Sequence, residues 1–172
     1  MIGRRAAGAL PNLRRIGDDV GASLVELLIG ISISAVVVAM LGSAVYQFYA
    51  ISGWGQARLA VLHDLQNAGL WLGRDANEAE RFTPGVGLVY GQFEWSDSSV
   101  QFRYSYDPGA TSLMREHLVG GVAQSSVTVA RHITSQGDVS FTLAGSLVTV
   151  SITATKGGVT ASDTLLLAMR VR

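Results

Sequence analysis

Gly21-Ala22-Ser23-Leu24-Val25-Glu26-Leu27-Leu28-Ile29-Gly30 opens an apolar run that continues to about Ile51, and the reading of this stretch decides the fold. After Glu26 no charged side chain appears until Arg58, and the residues between are mostly Leu, Ile, Val and Ala. A helix rises about 1.5 Å per residue, so about 20 apolar residues cross the roughly 30 Å hydrocarbon core of a bilayer. The run is long enough, and it is expected to span a membrane.

One carboxylate at the start of such a run needs a reason. A charged side chain at the centre of a span costs about 2.5 to 3.5 kcal/mol on insertion scales, and less near the boundary where Glu26 falls. Two readings stand. Glu26 is a solvated helix-end carboxylate favoured by the positive end of the helix dipole, or it is an acid that awaits a cation from another chain. Intramembrane acids are usually functional, which favours the second.

Working outward toward the start of the chain, Arg4, Arg5, Arg14 and Arg15 outnumber Asp18 and Asp19, so the segment before the run is basic. Positive charge beside a first span holds that side in the cytoplasm, which places everything after Ile51 outside. A secretory signal peptide fits less well. Its apolar region is only about 7 to 15 residues and its cleavage site follows that region, whereas here the small residue Gly21 precedes the run. The expected topology is a single pass with a cytoplasmic N-terminus.

The basic leader ending in Gly21, the apolar segment starting at Ala22 and the glutamate five residues after that glycine resemble the type IV prepilins and type II secretion pseudopilins. The resemblance implies that a membrane aspartyl peptidase cuts between Gly21 and Ala22 and methylates the new amino terminus of Ala22. It implies that Glu26 contacts the amino terminus of a neighbouring subunit during assembly. Ala22-Ser23 stands where the commoner pair is Phe-Thr. The implied partners are other pilin or pseudopilin subunits, the prepilin peptidase/methyltransferase, an inner-membrane assembly platform and membrane lipid, and the implied location is the inner membrane, as a single-pass protein, and then an extracytoplasmic filament. The stretch from Leu65 to Asp75 and the closing Leu-rich strand are similar to minor pilins and larger minor pseudopilins.

Beyond the run, Val61, Leu62, Leu65, Ala68, Gly69, Leu72, Ala76 and Ala79 recur at spacings of three and four, predicting an amphipathic helix. Nothing between Ile51 and Arg58 demands a stop, although Ser52-Gly53-Trp54-Gly55 is a place where the backbone can kink. The simplest expectation is one helix from about Ala22 to about Phe82, ended by Thr83-Pro84-Gly85. Tyr46, Phe48, Tyr49 and Trp54 suit either a membrane interface or packing of the helix on its own domain.

After Gly85 the period changes to two. Val100, Phe102, Tyr104 and Tyr106 alternate with polar residues before the Asp107-Pro108-Gly109 turn, and Val139-Phe141-Leu143, Val148-Val150-Ile152 and Leu165-Leu167-Met169-Val171 do likewise. Shorter strands are expected at Val86–Tyr90, Phe93–Trp95, Leu113–Leu118 and Val127–Ile133. The expected fold class is α+β and pilin-like: one long N-terminal helix whose second half packs against a C-terminal antiparallel β-sheet. The expected divisions are a cytoplasmic leader at 1–21 that is removed, a membrane and assembly half-helix at 22–55, and an extracytoplasmic globular domain at 56–172.

Composition excludes more than it offers. The formal net charge is zero, with 13 basic and 13 acidic residues. Losing the leader's four arginines and two aspartates leaves −2, so charge gives no case for nucleic-acid binding. There is no cysteine, which excludes disulfides and thiolate chemistry. His63, His117 and His132 show no metal-binding spacing and read as surface or hydrogen-bonded residues. The glycines from Gly85 to Gly91 do not fit GxGxxG and read as strand and turn residues. Asp75, Glu78 and Glu80 read as a solvated helix face with an Arg74–Glu78 pair. No catalytic constellation, cofactor site or metal site is expected. Two functions remain: a structural filament subunit trimmed at Gly21, and an extracytoplasmic binding module on an uncleaved single-pass anchor.

Overall fold

A computed structural model describes residues 23–95 and 99–170. Gly21, Ala22, the leader and the final Val171-Arg172 pair lie outside the described residues. The chain divides into two compact units after Val45.

Helix α1 runs without a break from Leu24 to Glu78, 55 residues, and passes through Gly30, Gly42, Gly53 and Gly55. Ser23 starts it: the amide of Val25 donates to the Ser23 hydroxyl at 3.2 Å and the amide of Leu27 to the Ser23 carbonyl at 3.1 Å. A serine in this place satisfies amides that the first turn leaves without helical partners. In the first unit every described residue, Ser23 to Val45, is exposed.

The second unit holds the core. Ala57, Val61, Leu65, Ala68, Leu72 and Ala76 form the buried stripe of α1, and the larger aliphatic members each contribute about 1.5 to 3 kcal/mol when fully buried. Leu62, expected on that stripe, is 40% exposed. The stripe buries Asp64 and Asp75 as well. The helix also ends sooner than expected. The amide of Glu80 donates to the Glu94 carbonyl at 3.0 Å, handing the chain to a strand. Phe82 thus lies in β1 opposite Phe93, and the extended backbone carries its ring into the core, where it is 3% exposed.

Strands β1 (Arg81–Pro84), β2 (Val89–Glu94), β3 (Val100–Asp107), β4 (Ser112–Val119) and β5 (Val122–Ala130) form an antiparallel meander in sequence order. Val86–Tyr90 and Phe93–Trp95, expected as two strands, resolve into β2 alone, because Gly87 at φ 62° turns the chain before Val89. A Cβ at Gly91 would collide with the Phe82 ring, so close approach accounts for the glycine inside β2. Strands β6 (Val139–Ala144), β7 (Leu147–Lys156) and β8 (Val159–Ala168) make a second, three-stranded antiparallel sheet. Alternation turns Val148, Val150, Ile152 and Ala154 inward. The outward face of this sheet bears Ser140 and Thr142, then Thr149, Ser151, Thr153 and Thr155, then Thr160, Ser162 and Thr164. Stacked rings join the two sheets: Phe141 lies 5.7 Å from Phe82 and 5.6 Å from Tyr90.

Candidate assembly helix and its seat on the sheets

From Leu24 to Trp54 the large apolar side chains of α1 are all about half exposed or more, from Leu24 at 78% to Trp54 at 54%. The stretch is long and apolar enough to cross a membrane. Its few polar side chains are compatible with an apolar surrounding, since the Ser32 and Ser34 hydroxyls each donate to a carbonyl one turn back, Leu28 and Gly30, at 2.8 Å. Glu26 lies in the first turn, beside the helix's positive end. Among the described residues no basic side chain forms an ion pair with it.

Tyr46, Phe48 and Tyr49 are 71 to 76% exposed and Trp54 is 54% exposed, so packing on their own domain is not their role. The Arg58 guanidinium sits over the Trp54 ring, 5.4 Å from its centre.

The second half of α1 is fixed to the sheets by polar contacts as well as by its apolar stripe. Asp75 has no exposed side-chain surface and meets Arg115 of β4 in a two-pronged pair, with Nε to Oδ2 at 2.6 Å and Nη2 to Oδ1 at 2.8 Å. The Tyr104 hydroxyl of β3 donates to Oδ2 at 2.6 Å. The Arg115 guanidinium lies over the rings of Trp71, 4.6 Å from its centre, and Phe102, 4.1 Å from its centre. Burial works against the guanidinium's charge, but the bonds and charge of Asp75 outweigh it and hold its pKa above the ordinary value. Burial, followed by the neighbouring Asp75 charge, pushes the Tyr104 phenol far above the usual tyrosine range. About three turns earlier in the helix, Asp64 accepts from His132 Nδ1 at 2.7 Å. His132 adopts a left-handed backbone, φ 60°, between the two sheets, and its carbonyl accepts from the Thr155 amide of β7 at 2.8 Å.

These contacts revise the expected solvated face. Arg74 and Glu78 do pair, at 3.3 Å, but Asp75 belongs to the core. His63 is exposed and His132 hydrogen-bonded, as expected, whereas His117 is half-buried and stacks on Phe102. Among the described residues no group of His, Asp or Glu is arranged to hold a metal ion. Both carboxylate oxygens of Asp75 are bonded by Arg115, and one by Tyr104 as well, an arrangement that fixes a helix on a sheet. No family model matches the chain, and comparison with curated proteins and with solved structures gave no match.

Proposed function

We propose that the chain is a structural subunit, a pilin or pseudopilin, of a type IV pilus or type II secretion-like filament. It is inserted in the inner membrane by the first half of α1, cut after Gly21, methylated at Ala22 and polymerised through the same half-helix. The observation that carries this reading is the helix from Leu24 to Trp54: it shows apolar side chains to its surroundings, with an acid in its first turn. An anchor alone requires the apolar surface but not the acid, which carries an insertion cost. Neighbouring subunits supply both the apolar cover and, at their trimmed amino termini, the cation.

Intact mass of the chain recovered from membranes tests it. The expected mature chain begins at N-methylated Ala22, and Gly21→Arg leaves the precursor uncut. Wild-type chain that keeps residues 1–21 in the presence of the peptidase overturns the reading in favour of an uncleaved anchor.

A further inference from the structure

The outward face of the three-stranded sheet holds no charged side chain. Across β7 and β8, Ser151 faces Thr164, Thr153 faces Ser162 and Thr155 faces Thr160, with hydroxyl oxygens 3.2, 2.8 and 3.0 Å apart. Toward the other end the rows become apolar, through Leu166 at 68% exposure and the Leu147–Ala168 pair. The five-stranded sheet of the same molecule shows the contrast, because its outward face carries the Arg103–Glu116 pair at 3.7 Å. Strand propensity accounts for threonine but not for the absence of charge, since a solvated sheet face accommodates Lys and Glu at small cost. Hydroxyls that already bond one another lose little when water is removed from them. Covering such a face costs little.

We propose that it packs against the same face of a second copy, about a twofold axis running along the second half of α1. The contact rests on the reading of the chain as membrane-anchored. Two neutral faces meet without charge repulsion. Orientation also selects this arrangement, because β8 runs in the direction of α1. A Cβ at Gly157 would lie 3.5 Å from that of Ala57, a Cβ at Gly69 would lie 3.7 Å from Leu165, and the Arg170 amide donates to the Ala79 carbonyl at 3.0 Å. A twofold axis along this direction keeps the Ala57 ends of both copies on one side, as chains entering one membrane require. Antiparallel edge-to-edge pairing of β8 would reverse one of them.

The size of the face sets the strength. Five rows about 6.8 Å apart on three strands about 4.8 Å apart cover roughly 400 Å² per copy, about half of the roughly 800 Å² per partner in a stable interface. The contact is therefore weak between free domains. It becomes effective between tethered copies, whose effective concentration reaches about the millimolar range.

The absence of cysteine makes the test direct. Thr153→Cys is placed in the full chain, in the uncut Gly21→Arg background, and treated in membranes with a short thiol-to-thiol crosslinker. The expected product has twice the chain mass, in several-fold greater yield than from Ser126→Cys on the five-stranded sheet. Adding Ser151→Lys to Thr153→Cys reduces the yield to the Ser126→Cys level, whereas adding Ser151→Thr preserves it. Equal yields at the two cysteine positions, indifference to Ser151→Lys, or a product of another mass overturns the contact while leaving the filament reading intact. Fractionation before crosslinking reads the anchor itself, and chain absent from the membrane overturns both.

Discussion

Asp75 is a carboxylate with no exposed surface, and its three hydrogen bonds come from β3 and β4. Removing one member of a buried ion pair leaves the other charged and unpaired, at a cost of about 3 to 5 kcal/mol. Arg115→Met is therefore expected to destabilise the domain by that amount in urea unfolding. Asp75→Leu combined with Arg115→Met is expected to cost less than Arg115→Met alone, because no uncompensated charge remains. Tyr104 adds a pH signature. Its folded pKa is raised, so above about pH 10, where an unfolded tyrosine loses its proton, the folded form still holds one. The unfolded state then binds fewer protons, and stability falls as pH rises through that range. Urea midpoints at about pH 8 and about pH 11 are expected to differ less for Tyr104→Phe than for the wild type. Part of this was legible beforehand, because Asp75 stands three residues after Leu72 and four before Ala79, on the stripe itself. Charge drew it to the solvated face in the sequence reading. Its partner lies 40 residues away on strand β4, a pairing that no local spacing encodes.

At the scale of elements, α1 presents two leucines that periodicity treats alike and packing does not. Leu72 is fully buried, so Leu72→Ala is expected to cost about 2 to 5 kcal/mol, transfer and cavity terms together. Leu62 is 40% exposed, and Leu62→Ala is expected to cost less than about 1 kcal/mol. A chain beginning at Gln56 suits the comparison, since it retains the whole buried stripe and omits the apolar run; equal losses at the two sites would contradict the packing described. The helix, the change of period after Gly85 and most strand positions were legible because each is a local pattern, whereas Gly42, Gly53 and Gly55 left open whether the helix breaks, and it does not. The end of α1 was not, because Phe82 fits a helical face as well as a strand, and pairing with Phe93 decides between them. The division into two sheets was equally hidden, since alternation gives a strand its faces but not its neighbours.

At the scale of the whole molecule, the first half of α1 has an apolar surface long enough to cross a membrane, which on the filament reading is covered by lipid before assembly and by other copies afterwards. Apolar packing between such helices is largely non-directional, so it does not by itself fix how far one subunit is shifted along the next. A charge pair does. Glu26 stands one turn from the end that trimming at Gly21 would create, and its own terminus is attached too near for the pair to select a neighbour. On the filament reading the amine of another subunit, which methylation leaves cationic, reaches it at one stagger only. Pairing there offsets a charge penalty of a few kcal/mol in a low-dielectric setting and sets register as well. Glu26→Val is accordingly expected to insert and fold as the wild type does, to be retained in the membrane at least as well, and to enter filaments poorly. Membrane fractionation, circular dichroism and filament recovery read these three outcomes separately. Normal recovery of the valine variant in filaments, with trimming verified by mass, would leave Glu26 as a helix-end acid favoured by the dipole alone and would move the setting of register to the globular domains.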